Sequence, residues 1–139
     1  MNKPDTIRIK FMSKLDSTIW LRQFPGEIPV WNNCEFIFDK DDRHYDWLVV
    51  YEDLPKSGEE RFPLSQELLA CPQQNTLFLT MEPSSIKSYG KHYTAQYGYV
   101  ITSQESWALP HPHRISLPPN LPWFYGLGSK KLLGQILSQ

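Results

Sequence analysis

A chain of 139 residues, 40% hydrophobic and 14% aromatic, can fill one core of ordinary size and reads as one globular domain. Its formal net charge of -1 offers no broad positive field, which excludes a protein living on nucleic-acid phosphates or anionic lipid and leaves sugars, peptides and proteins as partners. Cys34 and Cys71 are too few for a disulfide framework and lack metal-ligand spacing. The N-terminus has no long apolar run behind its charges, and no window nears the about 20 apolar residues of a membrane helix, so the expectation is a cytoplasmic protein with reduced thiols.

In chain order, residues 6–12 alternate Ile7, Ile9 and Phe11 with Arg8 and Lys10, the period of a first strand with one buried face. Residues 16–24 hold Ile19, Trp20, Leu21 and Phe24 behind a capping Asp16 or Ser17, and read as a short helix or turn ended by the sequence PGEIP. The run NNCEFIFD is a second short apolar segment, closed by a charged, solvated turn. Leu48, Val49, Val50 and Tyr51 then form an unbroken apolar run bounded by acids, as in a parallel strand buried on both faces. Ser65 is placed to cap a short helix over LSQELLA, ahead of a further buried strand, TLFLTM.

Ile86, Tyr89, Tyr93 and Tyr97 recur at spacings of three, four and four, which predicts one helical stripe behind a capping Ser84, and GYVITS reads as the next strand. Strand, helix and strand in about thirty residues make a βαβ unit. Past Ser103, five of the twelve prolines gather with Trp107, Trp123, Phe124 and Tyr125, so no regular element persists there. Leu132, Leu133, Ile136 and Leu137 close the chain on a helical stripe, giving a domain over 1–126 and a segment 127–139 that is either a helix or the start of an interdomain connection.

In an open α/β sheet, ligands bind beyond the carboxyl ends of the strands, and Glu82 stands where TLFLTM gives way to the expected helix. A carboxylate at a helix start is held ionised by unpaired N–H groups, ready to accept a proton or a hydroxyl hydrogen bond, although an acid there also serves simply to complement the helix dipole. Glu52 and Asp53 end the preceding strand and line the same crevice or form an ordinary turn; His92 faces either the cleft or solvent.

The stretches DWLVVYEDLP, LFLTMEPSSIKSYGKHYTAQYGYVITS and HPHRISLPPNLPWFYG resemble, in order and spacing, the N-terminal half of family-10 glycosyltransferases, the α1,3-fucosyltransferase-like enzymes, particularly bacterial ones. The resemblance implies a Rossmann-like α/β domain with a mostly parallel sheet, one half of a GT-B architecture that binds the glycan acceptor while a second half holds the nucleotide-sugar donor. It implies that Glu82 is the base that accepts the acceptor's hydroxyl proton during inversion; Glu52, Asp53, Ser84 and His92, by their places at the strand end and in the expected helix, are the expected substrate-binding residues beside it. Here the glutamate is followed by Pro83 and then Ser84, where the commoner family form has serine directly after the acid. No counterpart of the donor half follows, so transfer is expected only with a donor-binding partner.

His111 and His113 lack further ligands nearby in sequence and read as surface-loop residues, with no metal or cofactor expected: the seven glycines are scattered and form no phosphate-cradling loop. The proline-rich aromatics suit sugar stacking but read as packing residues. The open side of a half-cleft offers apolar surface for a homodimer. A non-catalytic carbohydrate- or protein-binding domain on the same scaffold is the alternative.

Overall fold

The computed structural model describes residues 5–54 and 66–119. Within them, strands β1 (Ile7–Ser13), β2 (Val30–Trp31), β3 (Cys34–Ile37), β4 (Trp47–Tyr51), β5 (Thr76–Leu79), β6 (Tyr99–Thr102) and β7 (Arg114–Ser116) form one seven-stranded sheet in the order β2-β3-β1-β4-β5-β6-β7. Every neighbouring pair is parallel except β2 with β3, a hairpin turning at Asn32, whose φ is 53°. Counting the parallel strands alone along the chain gives the order 2-1-3-4-5-6 of a doubly wound sheet, whose direction reverses between β1 and β4.

The mostly parallel sheet is as expected, but β7 runs through the proline-rich stretch where the sequence predicts no regular element, because Arg114–Ser116 falls between Pro112 and Pro118 and pairs with β6; among the described residues helices are few. Among the described residues α1 (Ser17–Leu21), capped by the Asp16 carboxylate on the Thr18 N–H, and α2 (Lys91–Thr94) are the α-helices. The stripe predicted from Ile86 to Tyr97 is not one helix. Residues 84–86 form a turn closed on the Pro83 carbonyl, Ile86 is 71% exposed, and helix begins only after Gly90. Tyr89, Tyr93 and Tyr97 nonetheless share a target, all packing within 5.5 Å of the Phe78 ring centre. The helix expected over LSQELLA is absent where described: residues 66–69 carry no regular structure, and Ser65 lies outside the described residues. Trp123, Phe124, Tyr125 and the 127–139 segment also lie outside them.

The first strand buries the face opposite to the one its pattern predicts. Register places Arg8, Lys10 and Met12 with Leu48, Val50, Phe78 and Val100 on the face where the main core lies, together with Tyr45, Tyr89 and Leu109. Ile7, Ile9 and Phe11 lie on the other face and are half-buried. Lys10 is fully buried. Its ammonium donates to the Lys40 and Asp42 carbonyls at 2.7 and 2.9 Å and to Glu67 Oε1 at 2.8 Å, and that oxygen also accepts from Arg43 and the Tyr45 hydroxyl. A buried ammonium persists only when its donors are matched in this way. The pairing draws Glu67 inward, under β1 and the 40–45 loop.

Two predictions follow from this packing. Lys10→Met removes the buried ammonium from Glu67, leaving that carboxylate to Arg43 and the Tyr45 hydroxyl, and should lower unfolding stability by about 3 kcal/mol, while adding Glu67→Leu should recover most of that loss, read by urea denaturation. At Gly98 a Cβ would come within 2.6 Å of the Gln74 carbonyl oxygen. Gly98→Ala should therefore cost about 1–3 kcal/mol by the same measurement, as overpacking does.

Candidate functional site

The reversal of strand order between β1 and β4 leaves a crevice beyond the carboxyl ends of β1, β4 and β5. A cavity of about 380 Å³ occupies this place, between Ser13 and Lys14 after β1, Tyr51 to Asp53 after β4, and Met81, Glu82, Ile86 and Lys87 after β5.

Glu52 organises its floor. The residue takes a left-handed backbone, φ 65°, which for a side chain with a Cβ costs on the order of 1 kcal/mol. That bend turns its carboxylate toward the end of β5, where it accepts from the Met81 N–H, the Glu82 N–H at 3.2 Å, the Tyr89 hydroxyl and the Lys87 ammonium at 2.9 Å. Burial by itself raises the Glu52 carboxyl, but the bonds from Tyr89, Lys87 and Met81 outweigh it and hold the group below the usual carboxylate range. Asp53 behaves alike: burial pushes up, and Lys14 at 3.0 Å and Lys87 at 3.2 Å bring the net shift down. Lys87 is shifted upward, its burial more than offset by Glu52 and Asp53.

From the other side Gln104, just past β6 and 1% exposed, donates its amide to the Glu82 and Lys87 carbonyls, both at 2.9 Å. The peptide groups flanking Glu82 are thus gripped from β4 on the N–H side and from β6 on the C=O side. Its carboxylate accepts no hydrogen bond and joins no ion pair among the described residues. The Tyr51 hydroxyl is pushed up to about 12 by burial first, then by the nearby Glu52 and Glu82 carboxylates. The lining carries the cations Lys14 and Lys87 against the anions Glu52, Asp53 and Glu82. Both cations are already paired. Glu82 is the charge left over.

The residues expected at the site therefore separate. Glu82, Glu52 and Asp53 converge on the cavity. Glu52, expected to meet substrate, is instead spent on the protein's own backbone and Lys87. Ser84 caps no helix; its hydroxyl donates to the Glu105 carboxylate at 2.7 Å, and it is not part of the cavity wall. His92 stands exposed on α2, outside that wall. The expected dipole at Glu82 also fails, because no helix starts there. Lys14, Lys87 and Gln104 were missed. Nothing in their spacing marks them, since their meeting depends on β1, β4, β5 and β6 lying side by side.

Elsewhere, His111 uses both ring nitrogens structurally: a carbonyl can only accept, so Nε2 donates to Tyr97 O at 2.8 Å while Nδ1 accepts from the His113 N–H at 3.0 Å. Among the described residues no group of three or more His, Cys, Asp or Glu is placed to hold a metal, and no helix is long and apolar enough to cross a membrane.

A depressed carboxylate stabilises the fold above its unfolded pKa and loses that contribution as pH falls through the lower, folded value. Acid titration of stability should therefore show a loss beginning below about pH 4.5, the ordinary glutamate value. Glu52→Gln should flatten this limb and cost about 2 kcal/mol at pH 7 through loss of charged hydrogen bonds, checked by urea melts from pH 2 to 7. No family model, curated protein or solved structure matches this chain.

Proposed function

We propose that the chain is the acceptor-side domain of an inverting, fucosyltransferase-like glycosyltransferase, a Rossmann-like half of a GT-B enzyme, with Glu82 as the base on the acceptor hydroxyl. One observation carries the reading: a carboxylate without a partner among the described residues, on backbone gripped at both peptide groups, at the direction-reversal crevice of a parallel sheet. Inversion needs a base fixed on the side opposite the leaving group. A clamped backbone reduces the positional freedom such a base has to lose on reaching a near-attack geometry.

The charge balance favours the acceptor over the donor. A diphosphate needs uncommitted cations or a run of free N–H groups. Here Lys14 and Lys87 are neutralised by Glu52 and Asp53, and the Met81 and Glu82 N–H groups are filled by Glu52. A neutral, hydroxyl-rich sugar suits an unpaired carboxylate and carries no charge for it to repel. The nucleotide sugar would then sit on a second domain facing this crevice.

Combined with a donor-binding domain and a nucleotide sugar, the wild-type chain should transfer sugar to an oligosaccharide acceptor. Glu82→Gln should lower kcat by about 10²–10⁴ with the acceptor KM little changed, as loss of a general base does. Undiminished transfer by that variant would reject Glu82 as the base. Oligosaccharide titration followed by NMR, with shifts clustered away from Ser13, Lys14 and Glu82, would favour the non-catalytic binding domain instead.

A further inference from the structure

On the sheet face opposite Lys10, the connection from β1 to β3 carries an aromatic cluster of its own. Trp20 on α1 packs on Phe11 and on Tyr51 with ring centres 4.6 Å apart in each pair, and Phe24 packs on Phe36 at 5.1 Å. Gly26 and Glu27 then take left-handed backbones in succession, φ 65° and 58°, and turn the chain toward β2. Between the Trp20 and Phe24 contacts lies a cavity of about 230 Å³, walled by Phe11, Trp20, Phe24, Phe36, Phe38 and Tyr51 and completed by Gln23 and Leu79.

This pocket adjoins the Glu82 crevice. Register sets Ser13, Tyr51 and Leu79 in one row at the carboxyl ends of β1, β4 and β5. Tyr51 belongs to both walls: its ring packs on Trp20, while its hydroxyl lies near enough to Glu52 and Glu82 to feel their charge. A smaller cavity of about 180 Å³ joins the two, sharing Phe11, Trp20 and Phe38 with the aromatic pocket and Ser13 and Leu15 with the crevice.

The wall dictates the occupant. None of its residues is charged, so a phosphate or carboxylate would lose its hydration with nothing to replace it. An apolar-lined cavity of about 150 Å³ admits benzene, so about 230 Å³ holds one substituted ring and is too small for a helix. The wall rings already meet one another at 50° to 68°, the tilted geometry that a further ring prefers over a face-to-face sandwich. We propose that this pocket seats a neutral aryl group carried by the sugar acceptor, so that the acceptor hydroxyl reaches Glu82 past Tyr51. The part played in transfer rests on the reading of Glu82 as the base; the binding of the ring does not.

The test titrates the full-length chain with benzyl alcohol, followed by methyl and indole N–H NMR. Saturable shifts should appear at Leu79 and the Trp20 indole, with affinity at least about tenfold above that for benzoate or tetramethylammonium. Leu79→Phe fills the pocket and should weaken benzyl alcohol at least about tenfold; Gln23→Phe should do the same if the first variant does not fold. Shifts that fail to saturate or lie elsewhere, tighter binding of either ion, undiminished binding by a folded variant, or NOEs placing another side chain of the chain in the pocket would each overturn the proposal. With a donor-binding domain supplied, phenyl glycosides should show an acceptor KM at least about tenfold below that of methyl glycosides of the same sugar. Equal KM values would deny the ring its part in acceptor recognition, whereas undiminished transfer by Glu82→Gln would remove the base and leave the binding result standing.

Discussion

The Glu52 carboxylate is the interaction on which the site depends. A single side chain at the end of β4 holds two N–H groups beyond β5, the Tyr89 hydroxyl and the Lys87 ammonium. Those bonds join consecutive parallel strands at their carboxyl ends, where the ladder itself has stopped. They also explain how a left-handed glutamate is tolerated: four charge-assisted contacts exceed the local backbone cost. Remove the carboxylate and the turn that carries Glu82 loses its backbone link to the end of β4, keeping the Gln104 grip, the Ser84–Glu105 bond and the Lys87–Asp53 pair.

The same bonds explain why the segment after β5 is a turn rather than a helix. A helix from Ser84 onward would direct its N–H groups along its own axis and carry Tyr89 around with them. Instead Tyr89 is drawn to Glu52, the 82 and 87 carbonyls are taken by Gln104, and helix resumes only at Lys91. Tertiary hydrogen bonds to a buried charge exceed the few tenths of a kcal/mol per residue by which propensity favours helix. Irregular backbone at the crevice is what leaves the Glu82 side chain unpartnered beside the cavity.

Lys10 and Glu67 organise the opposite end of the core in a comparable way. One fully buried ammonium ties β1 to the 40–45 loop and to the segment before β5, with Tyr45 adding a hydroxyl to the carboxylate and its ring face 5.3 Å from the ammonium. Both anchors join distant chain segments through a charge.

What the sequence determined by itself was the inner strands of the sheet and their chemistry-bearing end, but not its short edge strands β2 and β7. The unbroken run Leu48–Tyr51, the run ending at Met81 and the alternation in residues 6–12 mark strands because period and apolarity are local properties, and Glu82, Glu52 and Asp53 were legible as strand-end acids. What only the tertiary structure decided was which face of β1 is buried, which acid is occupied and which is left over. Alternation cannot say that a lysine will find Glu67, and spacing cannot say that Glu52 will meet the Met81 N–H, because both outcomes depend on the order in which strands line up, and strand order is set by long-range packing rather than by neighbours in the chain.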